Sequence, residues 1–147
     1  MRFLTPFRIA AYLLAVLFLG HTGGGMLAQK SLGSASDAVF ATMKAVHFTF
    51  NGADATWYGF WFGFGLTVSV YTLFSAVVAW QLDKVTPDRW SSVSAIAWTL
   101  AAAQLASAVL SWKYFFVAPT LFSLGAALLI ALGAYRKGRL RRHAQPV

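Results

Sequence analysis

Three stretches of this chain carry no Asp, Glu, Lys, Arg or His: Trp57–Trp80, Trp90–Trp112 and Tyr114–Tyr135. Each exceeds the roughly 20 residues that an α-helix needs to cross a hydrocarbon core about 30 Å thick. A further apolar run starts at Phe7 and reaches Leu27 only by crossing His21, Thr22 and Gly23-Gly24-Gly25. This pattern predicts an all-α fold, an antiparallel bundle of four transmembrane helices over about 7–27, 57–80, 90–112 and 115–135. Together these make one transmembrane domain spanning 1–147.

The connection between the first two spans has a pattern of its own. Val39, Phe40, Met43, Val46 and Phe50 recur at helical spacing with Lys44 off their face. Ser34-Ala35-Ser36-Asp37 fits a capping box, and Asn51-Gly52 fits a helix stop. An amphipathic helix is therefore expected over Ser36–Thr49, lying at the outer interface or capping the bundle. The inner loop is expected over Gln81–Arg89, with Asp88 complementing the start of the third helix. Pro119 should start or bend the fourth helix, leaving Trp112–Ala118 as a folded aromatic stretch.

Composition sharpens the picture. With 59% hydrophobic and 11% charged residues, the chain departs from soluble domains, where about 25% are charged. The Phe7–Gly20 run resembles a secretory signal, but its exit, Met26-Leu27-Ala28, is a poor cleavage site. An uncleaved anchor is expected. The absence of cysteine excludes disulfides, thiolate metal sites and cysteine nucleophiles.

Charge sets the orientation. Four crossings put Arg2, Arg8, Lys84, Arg89, Arg136, Lys137, Arg139, Arg141 and Arg142 on one side, and Lys30, Lys44 and Lys113 on the other. Nine against three predicts a multi-pass protein of the plasma (inner) membrane with both termini cytoplasmic. The net charge of +8 is explained by orientation and by anionic lipid at the C-terminal tail; nothing else points to nucleic acid.

Candidate chemistry is sparse. The spans hold no ionisable group near mid-membrane, which argues against a proton-coupled carrier. Gln104 should form an interhelical hydrogen bond, and the ridges Gly59-Gly63-Thr67 and Ala95-Thr99-Ala103-Ser107 should pack helix on helix. His21 and His47 are the main lead. Both are expected to face protein in the outer leaflet, where imidazole can hydrogen-bond an organic ligand or hold haem or a metal. Asp54 either adds an oxygen ligand or caps the second helix. Gly23-Gly24-Gly25 lacks the lysine of a phosphate loop and should end the first helix or admit close backbone approach. A small-molecule site is expected among His21, His47, Asn51, Trp57 and Trp61.

At these residues the chain resembles a small four-span bacterial inner-membrane protein family. The matching stretches are His21-Thr22-x-Gly24, Met43-x-x-x-His47-Phe48-x-Phe50-x-Gly52 and Gly63-Phe64-Gly65-Leu66, within residues 21–82. The resemblance implies four spans and no particular activity. Three functions are consistent with the sequence. One is a non-enzymatic module binding a hydrophobic small molecule or lipid in the outer leaflet. A second is an accessory subunit, docked on a membrane-protein partner or a homo-oligomer. A third is a histidine-ligated haem or metal protein.

Overall fold

The computed structural model describes residues 4–28 and 30–144. Its elements are α1 (Pro6–Leu19), a π-helical continuation (Gly20–Leu27), α2 (Ser34–Ala45), strands β1 (His47–Phe50) and β2 (Ala53–Thr56), α3 (Trp57–Lys84), α4 (Trp90–Tyr114) and α5 (Val117–Ala144). Among the described residues, four helices are long and apolar enough to cross a membrane: Pro6–Leu27, Trp57–Lys84, Pro87–Tyr114 and Val117–His143. It forms two compact units. Residues up to Leu17 and from Thr72 onward make one, and Phe18–Tyr71 makes the other.

In the first unit, α4 packs along α5. The buried face of α4 carries Ala97, Leu100, Ala101, Gln104, Ala108 and Ser111. The expected ridge is not the buried one: Ala95 and Thr99 are exposed. Spacing alone gives the period of a helix, not which face turns inward. Gln104 is 2% exposed. The core is mostly alanine, which lets helix backbones approach, with Phe7, Leu14, Leu82, Trp90, Leu100 and Ile130 as its large members. Phe7 lies against Trp90, with ring centroids 5.8 Å apart.

Gly133 is where this packing has no slack. A Cβ there would stand 2.8 Å from Phe7 Cδ2. Phe7 is 1% exposed and cannot retreat. Gly133→Ala should therefore cost about 1–3 kcal/mol by overpacking. Unfolding followed by tryptophan fluorescence measures it, and an unchanged midpoint would refute this account.

Several expected boundaries move. α3 runs on to Lys84, so the loop begins later than Gln81 and contains a short 3₁₀ turn, Pro87–Arg89. Trp112–Ala118 is no separate stretch. α4 continues to Tyr114 and α5 starts at Val117, which places Pro119 in its first turn, where a missing N–H costs nothing. α5 also continues through the basic tail. Lys137 is turned inward there, donating to the carbonyls of Leu82 and Asp83 at 2.8 and 2.7 Å.

The second unit departs further from expectation. The glycines at 23–25 do not end the first helix. It widens into a π-helix, with Ala28 N bonded to Gly23 O at 2.9 Å, and a Cβ at Gly23, Gly24 or Gly25 would meet nothing within 4 Å. No capping box forms at Ser34. Gly33, with φ 106°, occupies the cap position. Asp37 instead accepts a bond from Ser31 Oγ at 2.6 Å. α2 ends at Ala45, so the helix expected over Ser36–Thr49 gives way to a strand at His47. Phe40 and Met43 are half-buried, whereas Val39 and Val46 are exposed.

Candidate functional site

The hairpin and the start of α3 form one structure. Asn51 and Gly52 both take positive φ, 49° and 82°, the requirement of a type I′ two-residue turn. Asn51-Gly52 is thus a hairpin turn and not a helix stop. His47 pairs with Thr56, Phe48 with Ala55, Thr49 with Asp54 and Phe50 with Ala53. Alternation gives the hairpin two faces. His47, Thr49, Asp54 and Thr56 share one face, and Phe48, Phe50, Ala53 and Ala55 share the other. The polar-apolar alternation of His47-Phe48-Thr49-Phe50 beside Asn-Gly was the sequence signal for this element.

On the polar face, His47 Nδ1 lies 2.8 Å from Asp54 Oδ2, and both side chains are exposed. His47 is therefore not turned into protein as the helical reading required. Nor does Asp54 cap the helix. Thr56 does, accepting from Gly59 N through Oγ1 at 3.0 Å. On the apolar face, Phe48 stacks on Phe60 at 5.8 Å and 10°, and Phe50 meets Phe60 edge-on at 5.4 Å. Trp57 closes the cluster, 4.9 Å from Phe48.

Directly below the hairpin lies a groove of about 540 Å³, lined by Asp54, Ala55, Thr56, Gly59, Phe60, Gly63, Phe64 and Thr67. Its floor is the exposed backbone of α3. A Cβ at Gly63 would meet nothing within 4 Å, and one at Gly59 only Thr56 Oγ1. Phe60 and Phe64 stack along one wall at 6.1 Å. Thr67 returns its hydroxyl to Gly63 O at 3.0 Å, leaving a largely apolar surface. The ridge Gly59-Gly63-Thr67 is therefore exposed, not buried under a neighbouring helix as its spacing suggested.

His21 belongs to a different place. Its Nδ1 is 3.0 Å from Ser69 Oγ, and Thr22 donates to the same oxygen at 2.8 Å. Ser69 is 3% exposed. A serine beside a histidine invites a nucleophile–base reading. Here the serine is buried, and the trio works as a polar clasp between the π-helical segment and α3. Met26 lies over Gly65, where a Cβ would be 2.6 Å from its Sδ.

The expected site residues are thus dispersed. Asn51 forms the hairpin turn, His47 pairs with Asp54, and Trp57 joins the phenylalanine cluster. Trp61 faces α2, 5.2 Å from Phe40. Ser69, which holds His21, lies twelve residues into α3, about 18 Å along the axis from Trp57. The two histidines do not converge. Among the described residues no three His, Cys, Asp or Glu side chains come together to hold a metal ion. The groove itself was missed, although Gly59, Gly63 and Thr67 were recognisable as small residues on one face.

No family model, curated protein or solved structure matches this chain. The class defined by the fold is a helical protein with four candidate membrane spans.

Proposed function

We propose that this chain is a non-enzymatic multi-pass membrane protein that holds the apolar chain of a lipid or other hydrophobic small molecule in the α3 groove. Its four spans form an antiparallel bundle in the plasma membrane, with both termini cytoplasmic and the groove in the outer leaflet. Membrane placement is supported by the exposure of the helices. Only 22% to 33% of each span's apolar window is buried. Val70, Phe74, Val109 and Leu128 point outward, each at least 60% exposed, the arrangement expected where lipid covers the surface. The nine-to-three distribution of cations supports the orientation.

The observation that carries the ligand reading is the open groove with its glycine floor. Its size lies within the 300–1,000 Å³ range of small-molecule sites. Gly63→Leu should fill it, and a hydrophobic molecule that co-purifies with the wild type should be absent from this variant. Native mass spectrometry tests this directly, and undiminished occupancy would overturn the assignment.

The exposed small-residue ridge favours a second reading, an accessory subunit that receives a partner helix across Gly59 and Gly63. That reading expects the mass of a second polypeptide, or of a second copy, to be lost in Gly63→Leu. Bis-histidine haem gains no support, because His21 and His47 hold different partners.

Orientation is tested by single cysteines. Leu32→Cys should react with a membrane-impermeant thiol reagent applied to intact cells, and Leu140→Cys should react only after lysis. The reverse pattern would invert the topology.

A further inference from the structure

The groove has a polar mouth and an aromatic flank, and together they select a class of occupant. Asp54 is the sole ionisable group among the lining residues. His47 reaches both of its carboxylate oxygens, at 3.1 and 2.8 Å. This fixes the carboxylate while leaving it 73% exposed. A carboxylate offers about four lone-pair positions, so it can take further donors. Beside it stands Phe60, which lines the groove and is backed by Phe48, Phe50 and Trp57. Aromatic faces attract cations through the ring quadrupole, most strongly where the cation is a desolvated ammonium. No Lys or Arg lines the groove. An anionic head would meet a carboxylate there, and the His47 imidazole beside it is already engaged with that carboxylate.

Below the mouth the surface turns apolar. From Gly59 to Thr67 the trough follows α3 for about 12 Å, and its volume suits one chain. Resting on the reading of this groove as a chain-binding site, we propose that the occupant is a single-chain cationic amphiphile. Its ammonium or quaternary ammonium head sits at Asp54, beside the aromatic wall of Phe60 and Phe64. Its alkyl chain lies over Gly59 and Gly63.

The full chain in uncharged maltoside micelles is titrated with dodecyltrimethylammonium and, separately, with dodecanesulfonate, and adducts are counted by native mass spectrometry. The cationic probe should bind about five- to tenfold more tightly. The net charge of +8 biases the whole molecule the other way, so such a preference is local. Asp54→Asn should bring the ratio close to one, and Gly63→Leu should remove both adducts. Gly59→Leu repeats the second arm should Gly63→Leu fail to fold by circular dichroism. Equal binding of the probes in the wild type, or a ratio unchanged in Asp54→Asn, would overturn the cationic assignment. The groove reading would then stand if the leucine variants still lose both adducts. Adducts persisting in the leucine variants would overturn the groove itself.

Discussion

Asp83→Ala should lower the unfolding free energy by about 3–5 kcal/mol, the cost of leaving one member of a buried ion pair alone. Asp83 sits in the last turn of α3 with its side chain 8% exposed. Arg8 donates to it through Nε at 2.7 Å. Thr5 donates its hydroxyl to the other carboxylate oxygen. The Arg8 guanidinium also lies 5.1 Å from the Trp80 ring centroid, so it is held on two sides. Removing the carboxylate leaves that cation partly buried with no counter-charge. Replacing both partners by apolar residues, Arg8→Met with Asp83→Leu, should recover most of the loss. Unfolding in mixed micelles, followed by tryptophan fluorescence, measures all the variants. A loss below about 1 kcal/mol in Asp83→Ala would mark the pair as no better than a surface bridge.

Lys137→Met should cost about 3 kcal/mol. Its ammonium donates to three backbone carbonyls, those of Leu82, Asp83 and Val85, at 2.8, 2.7 and 2.5 Å. Leu82 and Asp83 lie in the last turn of α3 and Val85 just beyond it, where helix carbonyls run short of intrahelical donors and the dipole favours a cation. The same nitrogen stands 5.6 and 5.7 Å from the Phe7 and Trp90 ring centroids. Lys137→Arg should restore only part of the stability. A planar guanidinium spreads its donors over a fork, whereas three convergent carbonyls suit the single nitrogen of an ammonium. The same unfolding assay reads both variants. Full recovery in Lys137→Arg would show that charge alone matters.

Three of the four long helices were legible because absence of charge over more than 20 residues is a property of the chain itself; the first was legible from an apolar run that crosses His21 and three glycines. The ends were less so, since Trp80 and Tyr135 mark a change of polarity and not the end of hydrogen bonding; α3 and α5 continue to Lys84 and Ala144. At 39–50 two periods overlap. Val39, Phe40 and Met43 recur as in a helix, while His47-Phe48-Thr49-Phe50 alternates as in a strand. The Asn-Gly pair decides for the hairpin because positive φ at two successive residues fits its turn. The clasp of His21 on Ser69 was not legible, as it joins residues 48 apart in sequence. The ion pair of Arg8 with Asp83 was equally hidden, although four acidic residues among 12 basic ones make each carboxylate worth tracing to a partner.

The hairpin also acts as a depth marker. Two strands paired only with each other leave the outward N–H and C=O groups of both edges without partners in the ladder. In the membrane placement proposed for this chain, hydrocarbon would not accept such groups, which puts β1 and β2 in water or among headgroups and the start of the acyl region no higher than about Trp57. From there α3 runs 28 residues, a length of about 42 Å. A bilayer core is about 30 Å thick. The helix therefore matches it only by leaning or by carrying its last turns into the opposite headgroup layer, and it would be best accommodated in the thicker of two coexisting membranes.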